Sequence, residues 1–486
     1  MMTFIKHNIY RAIGRIKWEG TLTLKGSFLC CLVISLFTGC NKLVDTGQPV
    51  STITIAKTFA NDVNSTSALM GIYSNMSEGG TFYQPSWSNS LTTICPGITA
   101  DELTNFTYVF TDFQDYTVLA PNAVISGSFW GPAYYNIYQA NALIENLQAS
   151  AGVTSAVKKE LTGEAKFIRA FCHFYLVNLF GDVPLVTKSA WYSIDSLSRT
   201  PTAQVYQQIV QDLKDAKAAL PTDYSLASGE KIRANFWAAS SLLARVYLYT
   251  GDWQDAETEA DAVISSGNYQ LLSDPNAVFL KNSDEAILQL QTLNDGSIFA
   301  TQEGNNFIPS DNTQSAQFSL TDPLLKAFEP NDLRFTDWVD STIYNGSAYY
   351  YPYKYKSRVS SQGNINEYCM LLRLAEQYLI RAEAKAHLGT DLAGAISDIN
   401  KIRGRAKLTL LDPSSLNQSQ VLAAVMQERR IELFAEWGHR WFDLKRTNTA
   451  DVVLQSKAGW SPDFKLWPIP SVELSTDPFL TQNPGY

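Results

Sequence analysis

Along most of this chain, apolar positions return with the period of a helix. In "TPTAQVYQQIVQDLKDAKAALP", Val205, Ile209, Leu213, Ala216 and Leu220 recur at steps of four and three, which puts them on one face of an amphipathic helix. Thr200 can cap it, Pro201 suits its first turn, and Pro221 ends it. "WGPAYYNIYQANALIENL" and "GEAKFIRAFCHFYLVNLFGDVPLV" carry the same stripe, and the second stops at Gly181, where a left-handed residue can terminate a helix. Two later stretches can be laid over each other, Leu242–Ile264 and Leu379–Ile402. Ala244 falls on Ala382, Gly251 on Gly389 and, after one extra residue, Ala256 on Ala395. Each reads as helix, glycine turn, helix, with small residues where two helices must approach closely. Pairs of this kind stack to bury one continuous core.

The period fails in two places. Residues 267–368 are rich in Asn, Asp, Ser, Gly and aromatics, densest in "YNGSAYYYPYKYKSR", and predict short strands and long loops. The front stretch "MSEGGTFYQPSWSNSLTTICPGITADELTNFTYVFTDF" has the same texture. Irregular loops held by a rigid helical scaffold are favoured places for binding sites.

At the amino end, Gly26 to Phe37 carry no charge, are preceded by Lys6, Arg11, Arg15, Lys17 and Lys25, and stop at Gly39-Cys40. A membrane-spanning helix needs about 20 apolar residues, so this run is too short to span and is laid out as a cleaved export signal over residues 1–39. Thr38 and Gly39 before Cys40 resemble a bacterial lipobox, although Phe37 stands where Leu is usual. Cys40 is then the lipidated residue that tethers the chain, and more than one acyl chain is needed for stable anchoring.

Charge and cysteines narrow the function classes. The net charge is −9, and the export signal holds five of the 38 cations but one of the 47 acids, so the remainder is more acidic still. That balance argues against nucleic acid, which wants clustered Lys and Arg. Cys95, Cys172 and Cys369 are scattered without metal-ligand or disulfide-framework spacing, and Cys172 reads as a small buried hydrophobe. His173, His387 and His439 are likewise not spaced as metal ligands. No cofactor is expected.

"ERRIELFAEWGHRWFDLKR" sets Glu428, Glu432 and Glu436 four apart, which on one helix lines three carboxylates along a face. Such a row could do general acid–base work. Like charges at that spacing repel unless cations intervene, and Arg429, Arg430, Arg440 and Arg446 stand in the same segment, with Arg373, Arg381 and Arg403 on the repeat helices. A structural ion network is the reading adopted. Trp437 and Trp441, four apart in this motif, read as core, and Trp253 as packed in a repeat turn.

Six segments in order are similar to one known family: "GEAKFIRAFCHFYLVNLFGDVPLV", "ARVYLYTGDWQDAETEADAVI", "LLRLAEQYLIRAEAKAHLG", "INKIRGRA", "ERRIELFAEWGHRWFDLKR" and the terminal "LWPIPSVELSTDPFLTQNPGY" resemble the SusD/RagB outer-membrane lipoproteins of Bacteroidetes. The resemblance runs over residues 40–486. It implies a mainly α fold of four tetratricopeptide-like helix pairs with long irregular loops and a few short strands. Residues 40–486 would form a single domain, with a helical part at 40–266, a loop-rich insertion at 267–368, and the last repeat and family signature at 369–486.

It further implies a lipid-anchored nutrient binder, not an enzyme, in the outer membrane and facing outward. Its partner would be a SusC-like, TonB-dependent β-barrel transporter, to which it delivers an oligosaccharide or a peptide. A sugar binder needs flat apolar faces and a few polar groups. The loop candidates are Tyr83, Trp87, Phe106, Tyr108, Tyr344, Tyr349, Tyr350 and Tyr351, with Asp101, Glu102 and Asn105 as hydrogen-bonding groups. Two other readings stay open: a glycoside hydrolase on an α-helical scaffold, which needs only two suitably spaced carboxylates, and a protein-binding tetratricopeptide-type adaptor.

Overall fold

Wherever the sequence repeats apolar positions at helical spacing, the chain coils so that the stripe faces a neighbouring helix. The structure, a computed structural model, describes residues 54–78, 86–190, 197–292, 300–311, 314–358 and 365–486. The export signal, Cys40 and Tyr83 lie outside these residues. Eleven helices make the framework: α1 (Asp62–Glu78), α2 (Thr92–Thr99), α3 (Gly131–Ala149), α4 (Ser155–Phe180), α5 (Thr202–Ala219), α6 (Phe236–Thr250), α7 (Trp253–Ser265), α8 (Leu374–Leu388), α9 (Leu392–Arg405), α10 (Gln418–Glu432) and α11 (His439–Arg446). From α3 to α10 each helix packs against the next, as stacked tetratricopeptide-like helices do. Among the described residues no helix is long and apolar enough to cross a membrane.

The predicted stripe of α5 is buried at Val205, Ile209, Leu213 and Ala216. Pro201, not Thr200, occupies the cap position, and it sends the chain into the helix without a side-chain hydrogen bond. The two superposed stretches are α6–α7 and α8–α9. Their glycines, Gly251 (φ 80°) and Gly389 (φ 71°), end α6 and α8 in the left-handed conformation. Ala244, Ala382, Ala256 and Ala395 are fully buried at the crossings. Although the insertion separates them in sequence, α7 packs directly on α8, and the Trp253 indole lies flat on the His387 ring at 3.8 Å.

The insertion is rooted by β2 (Ala286–Leu290), which pairs antiparallel with β6 (Cys369–Arg373). Two further ribbons rise from it. β1 (Leu103–Asn105) of the front loop pairs with β3 (Phe318–Leu320), and β4 (Val339–Tyr344) pairs with β5 (Ser347–Pro352). The latter hairpin turns at Asn345 (φ 50°) and Gly346 (φ 76°), the two-residue turn that matches strand twist. Short helices at Gln302–Phe307, Asp322–Leu325 and Leu333–Trp338 also occur, too brief for a period to show in sequence.

Glu428, Glu432 and Glu436 are all buried and all paired, but their partners differ from those the sequence places nearest. Glu428 receives Arg334 (2.9 Å) and Arg403 (2.7 Å). Glu432 receives Arg373 (2.6 Å), Arg334 (3.3 Å) and Arg405. Glu436 receives Arg373 (2.8 Å) and Lys354 (2.5 Å). Arg429 and Arg446 instead share Asp443, Arg430 and Arg440 hold Asp101, and Arg381 binds Asp398 and Asp261. The helix also ends earlier than the four-residue spacing predicts. α10 stops at Glu432, and Ala435, Trp437 and Gly438 take positive φ (49°, 47° and 69°), so Glu436 and the buried Trp437 sit in the turn to α11. That turn swings Glu436 back onto the Arg373 guanidinium. The surrounding cations hold the Glu432 and Glu436 carboxyls below their ordinary range against the opposing effect of burial.

Arg373 also reaches Glu285 at 2.9 Å, so removing its guanidinium leaves three buried carboxylates short of a partner. Arg373→Met is expected to destabilise the protein by about 3–5 kcal/mol in urea unfolding; a loss under about 1 kcal/mol would show that the network contributes little. A second joint responds to pH. Glu303 is buried, accepts from the Thr93 hydroxyl at 2.5 Å, and has its pKa pushed by desolvation up to about 8 from an ordinary 4.5. Its folded-state value lies above the unfolded one, so its stabilising contribution is complete below about pH 4.5 and is lost as pH rises through about 8. The melting temperature should therefore fall between about pH 4.5 and pH 8, with a smaller slope in Glu303→Gln. An unchanged slope in that variant would rule this carboxyl out as the cause.

Candidate functional site

The front loop and the insertion, far apart in sequence, meet at the β1–β3 ribbon. There the Phe106 amide donates to the Gln317 carbonyl at 2.9 Å, and β5 runs alongside β3. In the β4–β5 hairpin the cross-strand pairs Asp340–Tyr351, Thr342–Tyr349 and Tyr344–Ser347 share one face. That face climbs from buried Tyr351 at its base to exposed Tyr344 at its tip. Phe106 meets Tyr349 edge-on at 5.2 Å and 81°, and Tyr344 lies 6.5 Å from Tyr349. Phe106 is 49% exposed and Tyr344 38%, and Tyr108, two residues after Phe106 in the front loop, is 92% exposed. Edge-to-face packing fixes the rings against one another while leaving faces open.

Both halves of this patch are rooted in the motif at α10–α11. Asp101, at the head of the front loop, accepts Arg440 Nε at 2.6 Å and Arg430 at 2.7 Å, and those guanidiniums hold its carboxyl below its ordinary value despite desolvation. The hairpin leaves the body at buried Trp338, whose indole donates to the Pro275 carbonyl at 2.9 Å. It returns at Lys354, whose ammonium lies 4.6 Å from the Trp338 ring and 4.2 Å from Phe434 while paired with Glu436.

Of the residues that the sequence singles out, Phe106, Tyr344 and Tyr349 are brought together at this patch, while Tyr108, two residues along the front loop, is exposed and makes no ring contact with them. Tyr350 faces the other side of the hairpin, against Phe335 at 6.1 Å. Tyr351 is buried and donates to Asp340 at 3.0 Å. Trp87, 1% exposed, packs on Phe171 and Tyr175 in the core and can offer no face to a ligand. Asn105 is buried too: its side chain donates to the Thr107 carbonyl and accepts from the Thr107 amide and hydroxyl, which shapes the turn that presents Phe106. Tyr83 falls outside the described residues.

Asp101 and Glu102 show a split of the kind that acid–base pairs have, since burial raises the Glu102 carboxyl to about 8 while Asp101 is lowered. Yet Glu102 is 1% exposed, so it can reach no substrate on this face, and its buried Oε1 without a partner fits a neutral carboxyl. Sequence reasoning passed over a second exposed pair. On α3, Tyr135 and Tyr138 are 55% and 46% exposed, with near-parallel rings 6.4 Å apart. The signal was available, because the buried phase of α3 (Ala133, Ile137, Ala140) turns both outward.

The comparisons agree with this architecture. The sequence profile described as "SusD family" matches residues 282–486, and the one described as "Starch-binding associating with outer membrane" matches residues 57–248. "SusD-like protein P2" of Formosa agariphila is 29% identical over 434 residues, covering 77% of this chain and 83% of its own. "Starch-binding protein SusD" of Bacteroides thetaiotaomicron is 23% identical over 442 residues, covering 72% and 77%. A solved structure titled "Laminarin binding SusD-like protein" superposes with a TM-score of 0.73 at 24% identity, over 88% of this chain and all of that one. With its stacked helices, its inserted loops and matches to both profiles, the chain belongs to the SusD/RagB family.

Proposed function

We propose that this protein binds a glycan at the patch formed by Phe106, Tyr344 and Tyr349, and delivers it to a SusC-like, TonB-dependent β-barrel transporter. The observation that carries the reading is the convergence of two distant loops into one exposed aromatic face on a rigid support. Ring faces take the C–H side of a pyranose, and the exposed Asn345 and Ser347 at the hairpin tip supply hydrogen-bonding groups for hydroxyls. Relatives named for starch and laminarin support a polysaccharide as the ligand class. Holding such a chain beside a pore raises its local concentration where import begins, so the contribution is binding free energy and not bond cleavage. The row Glu428, Glu432 and Glu436, the strongest sequence candidate for catalysis, is engaged by guanidinium and ammonium groups in the interior.

In this reading Cys40 carries the lipid that tethers the body to the outer membrane, facing outward. Phe106→Ala combined with Tyr349→Ala should weaken oligosaccharide binding at least about tenfold in calorimetry of the detergent-solubilised mature protein, as befits the loss of two ring contacts of about 1 kcal/mol each. Binding retained at full strength removes the patch from consideration, and new reducing ends from the wild type would favour a hydrolase. Cys40→Ala should leave the protein unprocessed or release it from the outer-membrane fraction. A mature form still found in that fraction means that lipid is not the anchor.

A further inference from the structure

A second site lies away from the aromatic patch, where the end of α4 meets the start of α5, α11 and the carboxyl-terminal tail. A cavity of about 500 Å³ opens there, lined by Asn178, Arg199, Tyr206, Tyr249, Lys445 and Arg446 among others. Its cations are unevenly matched. Arg446 is fully engaged by Glu383 and Asp443. Lys445 donates to the Asn178 carbonyl and lies 5.4 Å and 5.6 Å from the rings of Trp441 and Phe442, with no carboxylate partner among the described residues. Arg199 hydrogen-bonds only to neutral acceptors, the carbonyls of Asp182 (2.7 Å), Thr481 (3.1 Å) and Phe180 (3.3 Å) and Asn483 Oδ1 (2.5 Å), with the Asp182 carboxylate acting on it only through space. The one carboxylate of the lining, Asp182, accepts from the Thr202 amide and hydroxyl at 2.7 and 2.8 Å. The Tyr249 hydroxyl is buried without a hydrogen-bond partner.

A cation without a carboxylate partner, a second whose hydrogen bonds all go to neutral acceptors, and an unused hydroxyl donor, gathered at one cavity, are costly unless something satisfies them. We infer that this cavity binds an oxyanion (a sulfate, phosphate or carboxylate group) through Lys445, Arg199 and the Tyr249 hydroxyl. The electrostatics agree. Desolvation, and then the nearby Lys465, pull the Lys445 pKa down to about 7, while burial raises that of Tyr249 and keeps it a donor. The acids that pair with the neighbouring cations, Asp451 with Lys465 and Glu383 and Asp443 with Arg446, are already engaged and are not counter-charges of Lys445. A bound anion favours the charged ammonium, so affinity should rise as pH falls below about 7.

The same chemistry could be met by a free ion or by an acidic group on a saccharide. The test is titration calorimetry of the detergent-solubilised mature protein with sodium sulfate, with glucuronate and, as a neutral control, with glucose. One saturable site for sulfate or glucuronate is expected, tighter at pH 6 than at pH 8.5 and absent for glucose. Lys445→Met should weaken it at least about tenfold. Tyr249→Phe, which removes only the hydroxyl, should weaken it about threefold to tenfold. Sulfate binding alone identifies a free-ion site, and preference for glucuronate identifies an acidic saccharide as the source. The inference is overturned if no anion binds, or if both variants bind as tightly as the wild type.

Discussion

The meeting of Arg373 with Glu285, Glu432 and Glu436, reinforced by Arg405 on Glu285 and Glu432, holds together distant parts of the chain. A buried guanidinium is tolerable only when carboxylates surround it, and carboxylates in the same place are tolerable only with the guanidinium present. Each group therefore requires the others. The consequence is geometric: the base of the insertion, the repeat helix α8 and the turn after α10 are fixed at one point. Lys354 carries that constraint to the hairpin through Glu436, and the Asp101 clamp on Arg430 and Arg440 ties the front loop to the same α10–α11 segment.

From this follows a division of labour between scaffold and face. The segment Glu428–Arg446 supplies no group to the aromatic patch, yet it roots both loops that make it. The stacked helices provide a wide, stiff support, because each is locked by its neighbours along the array. The patch itself is made of side chains whose partners come from the opposite loop, as with Phe106 on Tyr349. On the proposed reading, changes in the ring set would alter ligand preference without disturbing the support.

Much of the helical body was legible because helical period is a local property: the stripe on α5 and the glycine turns of α6–α7 and α8–α9 are written in consecutive residues. The row of three glutamates was legible as a paired network, and two of its partners, Arg373 and Arg403, stand out among the cations in the sequence. Arg405 lies two residues beyond Arg403 on the same helix, but Arg334 comes from a segment that the sequence gives no reason to bring there, and Arg429, beside the row in sequence, points to Asp443. The site was half legible for a related reason. Aromatic density marks a segment without saying which rings are core, so Trp87 and Tyr351 look like Phe106 and Tyr344 until the fold sorts them by burial. Asp101 and Asn105 act one step back, holding the loop whose aromatics are exposed.

The aromatic face keeps its place only if the ion network holds the hairpin that carries it. Hydrogen exchange in the intact protein and in Lys354→Met measures this directly, read over residues 339–352 and, as an internal reference, over α4. The prediction is that amides of the hairpin lose protection in the variant while those of α4 keep theirs. Unchanged protection of the hairpin would contradict it, since the strands would then hold their place without the buried ammonium and its carboxylate.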